Sequence, residues 1–149
     1  MYNVTSLYSG TKREELLMII EKKIADIVGI TETWGRNNIL DSEMGKPRFR
    51  LYRKDRVLTD DKEGGGGVAL YVSNRLLVLE CTKLNSMSYE SVWCKIFTDE
   101  LNYYIVGVCY RCPDANEIET NNLFQCINAA ANENQPILIM EDFNYPGIN

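Results

Sequence analysis

Two short runs constrain this chain most: Ala25-Asp26-Ile27-Val28-Gly29-Ile30 and Pro136-Ile137-Leu138-Ile139-Met140. Both are apolar on either side of the chain and too short for a helix. Strands of that kind are covered on both faces, so they demand a sheet with a further layer packed on each side. Each run also follows a segment with helical spacing. Residues Lys12 to Lys23 carry Leu16, Leu17, Ile19 and Ile20, with Ile24 just beyond, and Ser9 or Thr11 ahead of Glu14 and Glu15 suits a helix start. A second helix is expected to begin between Pro113 and Glu117 and run to about Asn132, where Pro136 follows. Its apolar face is Leu123, Phe124, Ile127 and Ala130.

Between these two α-β units lie further strand-like runs. Phe49 to Lys54 alternates as a strand with one wet face, and four more runs follow at Val68 to Val72, Leu76 to Cys81, Ser91 to Phe97 and Tyr103 to Tyr110. Asn102 sits where a hairpin turn is expected. Gly35 to Pro47 reads as a polar stretch, and Leu58 to Gly67 as a charged, glycine-rich loop. This order implies an α/β or α+β layered domain, and 149 residues make one domain. With 45% hydrophobic and 25% charged residues the chain is no disordered tail and no disulfide-dense miniprotein. Its longest apolar runs, such as Tyr103 to Tyr110, fall far short of the roughly 20 residues of a membrane span. No secretory signal opens it. The layout wants a strand before the first helix and cover for the last strand, so a partial domain spanning residues 1–149 is expected.

The chain contains no histidine. That removes Ser-His-Asp and Cys-His catalysis, His-ligated zinc and a His general base, and leaves carboxylates, amides, tyrosine and a hard metal. Sixteen basic against 21 acidic residues give a net charge of −5, so any nucleic-acid contact must come from a local patch or a metal site. The five cysteines (Cys81, Cys94, Cys109, Cys112 and Cys126) read as reduced thiols. Cys109 and Cys112 form one C-x-x-C without the second pair zinc would need.

Two of the apolar strands end in acids, Glu32 and Asp142, and Asn144 follows Asp142 closely. Sites in open α/β sheets gather beyond the carboxyl ends of strands, and two such carboxylates suit a hard divalent cation and its water shell. Strands also end in acids simply because the chain is leaving the core. Tyr110-Arg111 closes a third strand, where a phenol can bind phosphate or merely pack half-buried. Gly64 to Gly67 is neither a Walker loop nor a dinucleotide fingerprint and reads as a flexible entry to a strand. Arg48, Arg50, Arg53, Lys54 and Arg56 read as a solvated strand face, with nucleic-acid contact as the alternative.

Taken jointly, five segments resemble one family. They are Ile30-Thr31-Glu32-Thr33-Trp34; Tyr52-Arg53-Lys54-Asp55-Arg56 with the glycines and Val68-Ala69-Leu70-Tyr71-Val72; Glu90-Ser91-Val92-Trp93; Val108-Cys109-Tyr110-Arg111; and Asp142-Phe143-Asn144-Tyr145-Pro146. Their order is similar to the endonuclease/exonuclease/phosphatase superfamily, most closely the endonuclease domain of LINE-type (non-LTR) retrotransposons. The resemblance implies a DNase I-like four-layer α/β sandwich, incomplete at its first strand and C-terminal part, and hydrolysis of phosphodiesters. It implies Glu32 as the principal Mg²⁺ ligand (Mn²⁺ as a substitute), with Asn3 near the metal. Asp142 would orient or deprotonate the attacking water; Asn144, Tyr110 and Arg111 would hold the phosphate; and Glu90 would stand behind the ligands.

The same resemblance implies DNA phosphates as partner, no membrane, no small organic cofactor, a reverse transcriptase domain in the parent protein, and an intracellular, nuclear setting. Three departures stand against it. The family's C-terminal aspartate-histidine pair has no counterpart here, Glu141 replaces the usual glycine before Asp-Phe-Asn, and Cys112 replaces the usual proline after Tyr-Arg. An impaired endonuclease is therefore expected, with a non-catalytic remnant or a phosphatase of the same superfamily as alternatives.

Overall fold

The computed structural model describes residues 2–3, 11, 14–16, 18, 20, 25–36, 39–56 and 64–145. Its strands are β1 (Tyr2–Asn3), β2 (Ile27–Thr31), β3 (Phe49–Lys54), β4 (Val68–Ser73), β5 (Leu77–Glu80), β6 (Ser91–Phe97), β7 (Tyr103–Tyr110) and β8 (Ile137–Asp142). Its helices are α1 (Asp41–Met44), α2 (Thr82–Asn85) and α3 (Glu117–Ala131), and residues 11, 14–16, 18 and 20 are helical as well. Leu17, Ile19, Ile24 and the expected cap at Ser9 lie outside the described residues, and Thr11 is already helical.

The strands form two mixed sheets of four, ordered β1-β2-β4-β3 and β5-β6-β7-β8. Each contains one parallel pair, β1 with β2 and β7 with β8, beside antiparallel neighbours. A parallel pair needs a crossover, and α3 supplies it for β7 and β8. The α/β expectation therefore holds.

Three cores separate the layers. Leu16 and Ile20 from the first helical segment pack on Val28, Ile30, Ala69 and Tyr71 of the first sheet. Val68, Leu70 and Val72 face Val92, Cys94, Val106 and Val108 between the sheets. Leu123, Cys126 and Ala130 of α3 cover Trp93, Ile105 and Cys109 on the far side of the second sheet. Trp93 is fully buried, and it lies so close over its cross-strand partner Gly107 that a Cβ there would come within 2.3 Å of its ring. Gly29 lets the two sheets approach closely, since a Cβ there would meet Val108 at 2.8 Å and Met140 at 2.9 Å.

Two sequence expectations fail here. The run Ile137 to Met140 is not a fully buried strand, because Ile137 is 36% and Leu138 48% exposed. β8 is an edge strand with a single neighbour, so its outer edge has no strand against it among the described residues, although Met140 and Ile139 still pack on the cores of the two faces. Phe124 is also not a core residue; the buried face of α3 is Leu123, Cys126 and Ala130, while Phe124 packs on the rings of Phe143 and Tyr145.

The run at Arg48 to Arg56 is corrected as well. Its cations turn inward onto backbone and acids. Arg50 donates to Leu76 O, Arg53 donates to Ile39 O and pairs with Asp41, and Lys54 donates to Asn85 O and Ser88 O. Only Arg48 of that run is exposed, so neither a solvated face nor a nucleic-acid patch describes it. All five cysteines are free and buried, as expected.

Candidate active site

The carboxyl ends of β2, β7 and β8 lie together, because Glu32 just after β2 bonds to Tyr110 at the end of β7, and Tyr110 pairs in register with Asp142 at the end of β8. Backbone strain collects there. Glu32 (φ 59°), Trp34 (φ 52°) and Asn144 (φ 43°) occupy the left-handed region, which costs a non-glycine residue roughly 1–2 kcal/mol. Such outliers persist where the surrounding contacts over-determine them.

Those contacts are visible at Glu32. Its Oε1 accepts a hydrogen bond from the Tyr110 hydroxyl, across from one sheet to the other. Its Oε2 accepts from Trp34 Nε1 at 2.7 Å and from the Gly66 amide at 3.0 Å. The next amide, Gly67, donates to Glu90 Oε2 at 3.1 Å. Consecutive glycine amides thus hold two carboxylates side by side. The glycines can do so because all four, Gly64 to Gly67, have φ between 75° and 83°, and because Gly66 and Gly67 accept in turn from Trp34 N (2.9 Å) and Thr33 N (3.2 Å). This is an ordered strap rather than the flexible strand entry the sequence suggested.

Glu90 stands at the start of β6, and its carbonyl accepts from Tyr110 N at 2.8 Å. Burial pushes its carboxyl up to about 7; the neighbouring Glu32 charge adds to that, while the Gly67 amide and the Arg56 guanidinium oppose it. Arg56 Nε lies 3.4 Å from Glu90 Oε1, and its Nη1 donates to Cys112 Sγ at 3.1 Å. Cys112 therefore occupies the proline position of the resembling motif as a polar contact to Arg56. Burial, and after it the hydrogen bond to Glu32, raises the Tyr110 phenol, which stays protonated through the neutral range.

Asp142 closes β8 in register with Tyr110, and in a parallel pair such partners project from the same face. Met140 on that face lines the space between the sheets, so Asp142 belongs on the Glu32 side, half-buried. Glu141, its neighbour, projects from the opposite face, where its Oε2 accepts from Phe143 N at 3.1 Å. The glutamate that replaces the expected glycine thus leans away from the site. Asn144 donates through Nδ2 to Arg111 O at 3.1 Å, and Arg111 stacks its guanidinium 4.8 Å from the Tyr145 ring. Arg111 also donates to Thr120 Oγ1 at 3.2 Å, tying the end of β7 to α3.

The structure accordingly brings Glu32, Tyr110 and Glu90 into one hydrogen-bonded group, sets Asp142 on the same face as Tyr110, and joins Asn144 to Arg111. Asn3 pairs with Thr31, one residue before Glu32, and its side chain is outside the described residues. Sequence reasoning left Trp34 and the two glycine amides without a role, and placed Arg56 only in the basic run. Four consecutive glycines before a strand were the one signal of the strap. Among the described residues no group of three acidic or thiol side chains could by itself hold a metal. Mg²⁺ is commonly bound through one or two carboxylates plus water and phosphate, and Glu32 fits that pattern: its three donors leave one of roughly four acceptor positions open.

An α/β domain of two mixed sheets with carboxylates at the carboxyl ends of its strands is the class that fold and site define. The chain belongs to the Endonuclease/Exonuclease/phosphatase family, whose profile matches residues 2–147. No curated protein sequence matches it. Among solved structures it is similar to the endonuclease domain of TRAS1, a telomere-specific non-LTR retrotransposon, at 16% identity and a TM-score of 0.65, covering 97% of this chain and 58% of that one. It is similar to the human Nocturnin catalytic domain with bound sulfate at 13% identity and a TM-score of 0.62, covering 97% and 62%. It is also similar to ANGEL2, a 2′,3′-cyclic phosphatase, at 15% identity and a TM-score of 0.60, covering 95% and 46%. The chain thus spans about half to three fifths of the structures it resembles. No described helix is long and apolar enough to cross a membrane.

Proposed function

We propose that this chain carries the phosphodiester-cleaving site of a DNA-nicking endonuclease of the non-LTR retrotransposon kind, and that its complete domain is the DNase I-like four-layer sandwich. The observation that carries the reading is the Glu32 carboxylate, held at a strand end by three donors and opposed across the sheets by Tyr110. Glu32, with Asn3 beside it in register, would hold Mg²⁺ or Mn²⁺, whose charge when bound polarises a phosphoryl oxygen. Asp142, on the Tyr110 face, accepts the proton of the attacking water and aims it. Tyr110 keeps its phenol proton, and would turn that single donor from Glu32 to a phosphate oxygen when substrate enters. Asn144 and Arg111, fixed against each other, complete the phosphate contacts. Glu90 takes no part in the phosphate contacts; it holds Gly67 and Arg56 in place behind Glu32.

The chain has no histidine to steady the transition-state charge, and loss of one such group lowers a rate by roughly 10²–10³. Slow turnover is therefore part of the proposal, and the same fact favours the second reading, a non-catalytic remnant that binds nucleic acid. The substrate is DNA phosphate, presented to a parent protein with a reverse transcriptase domain and a nuclear site of action. The test sets supercoiled plasmid beside a small phosphomonoester, each with Mg²⁺ or EDTA. Mg²⁺-dependent nicking without phosphomonoester release supports the endonuclease; the reverse pattern makes the chain a phosphatase; folded protein inert on both is the remnant.

A further inference from the structure

A cavity of about 560 Å³ opens beside Tyr110, on the side away from Asp142, between the turn before β6 and the first turns of α3. Its volume lies within the roughly 300–1,000 Å³ of small-ligand pockets. Ala115 and Leu123 give it an apolar floor, and the Tyr89 ring, 67% exposed, stands at its edge. Glu90, Asn116, Glu119 and Asn122 bring polar groups to its lining.

The charges decide what it can hold. Of the two guanidinium groups on its lining, Arg56 is engaged by Glu90, Cys112 and Asp114, and Arg111 belongs to the phosphate site next door. The start of α3 is closed by its own capping box, in which Glu119 N donates to Asn116 Oδ1 at 2.9 Å and Asn116 N donates to Glu119 Oε2 at 3.0 Å. Glu117 and Glu119 in that first turn repel a second anion. With Glu90 and Glu119 on its lining, the cavity itself disfavours an anion and suits a flat, uncharged ring with amino donors on its edge, for which a carboxylate and amide oxygens are acceptors.

Resting on the endonuclease reading of the adjoining site, we infer that this cavity receives one unstacked nucleobase bearing an exocyclic amino group, next to the phosphate held by Tyr110 and Arg111. Tyr89 stacks on the base, and Glu119 and Asn122 face its amino edge. Such stacking on an aromatic ring strengthens binding by about 5- to 100-fold per base.

The test is the affinity of the full chain for fluorescent single strands d(A)12, d(C)12, d(T)12 and an abasic 12-mer, read by anisotropy. The adenine and cytosine strands should bind more tightly than thymine, and the abasic strand weakest. Tyr89→Ala should weaken the base-bearing strands by about 5- to 100-fold and leave the abasic strand unchanged, with little change in Tm, since Tyr89 is exposed and its one ring contact among the described residues is Lys54 Nζ at 5.5 Å. Asn122→Ala should narrow the gap between adenine and thymine. Equal affinity for all four strands, no response to Tyr89→Ala, or no binding to any of them would overturn the inference. Mg²⁺-dependent nicking that persists beside any of those results would sink the base pocket alone and leave the phosphodiesterase reading intact.

Discussion

Replacing Gly67 by alanine tests the strap that positions the two carboxylates. Its φ of 83° costs an L-residue roughly 1–2 kcal/mol, and the new Cβ would lie 2.5 Å from Thr33 Oγ1. Thr33 is buried and short, so it cannot swing aside, and the strap must shift. Shifting loosens the Gly67 amide from the half-buried Glu90 carboxylate, a charged hydrogen bond worth about 1.5–3 kcal/mol. Gly64 is the control. It has nearly the same φ, 79°, but the nearest atom to its Cβ would be in the Trp34 ring at 3.9 Å. Alanine there carries only the conformational cost, partly offset by the stiffer unfolded chain. Destabilisation of about 1 kcal/mol for Gly64→Ala and about 3 kcal/mol for Gly67→Ala translates into Tm losses of roughly 2–4 °C and 6–12 °C for a domain of this size. Paired thermal melts measure both. Equal losses for the two variants would refute the strap as a positioning device and reduce it to four strained glycines.

Further expectations follow from the same geometry. Burial raises the Glu90 carboxyl from 4.5 to about 7, so the stability this group contributes is full below pH 4.5 and lost as the pH climbs through 7. Glu90→Gln should flatten Tm against pH over that window and be the more stable form at pH 8, by up to about 3 kcal/mol; an unchanged pH slope would contradict the assignment. Tyr110→Phe should lower the nicking rate by about 10²–10³ with little effect on Mg²⁺ dependence, read from single-turnover rates. Gly107→Ala drives a Cβ to 2.3 Å from the buried Trp93 ring and should cost about 3 kcal/mol in urea unfolding; a shift under 1 kcal/mol would mean the sheet yields there. Mg²⁺ at 100 times its dissociation constant should stabilise the fold by about 2.7 kcal/mol, and Glu32→Gln should remove that gain in melting experiments.

Much of this architecture is legible from residues. Ser91 to Phe97 and Tyr103 to Tyr110 declare themselves as strands because each mixes β-branched and aromatic residues between turn formers, and both bounds match the structure. α3 announces itself through spacing and the flanking prolines, while the structure adds the capping box of Asn116 and Glu119 that closes its start. The four-residue helices α1 and α2 leave no periodicity to detect. β8 misleads for a different reason. An aliphatic run reports a tendency to bury, whereas exposure depends on how many neighbours the sheet order provides.

The site was legible as residue types at strand ends and illegible as a network. Glu32, Asp142 and Tyr110 stand out because chemistry-bearing groups end apolar strands. The donors that orient Glu32 come from Gly66, a backbone amide without a side-chain signature, and from Trp34, whose indole reads as packing until its hydrogen bond is seen. The basic residues from Arg50 to Arg56 fail as a surface patch because their partners, Ile39 O, Asn85 O, Ser88 O and Glu90, are remote in sequence or carry no side-chain signal.

The central claim is that Glu32 anchors metal-dependent cleavage of a phosphodiester. Its most direct test is the rate of supercoiled-plasmid nicking by purified chain across a Mg²⁺ titration, beside Glu32→Gln melted to show that it folds. The account predicts slow nicking that saturates with Mg²⁺ in the natural sequence and vanishes in the variant. Nicking of equal rate and Mg²⁺ dependence in a folded Glu32→Gln variant would contradict it.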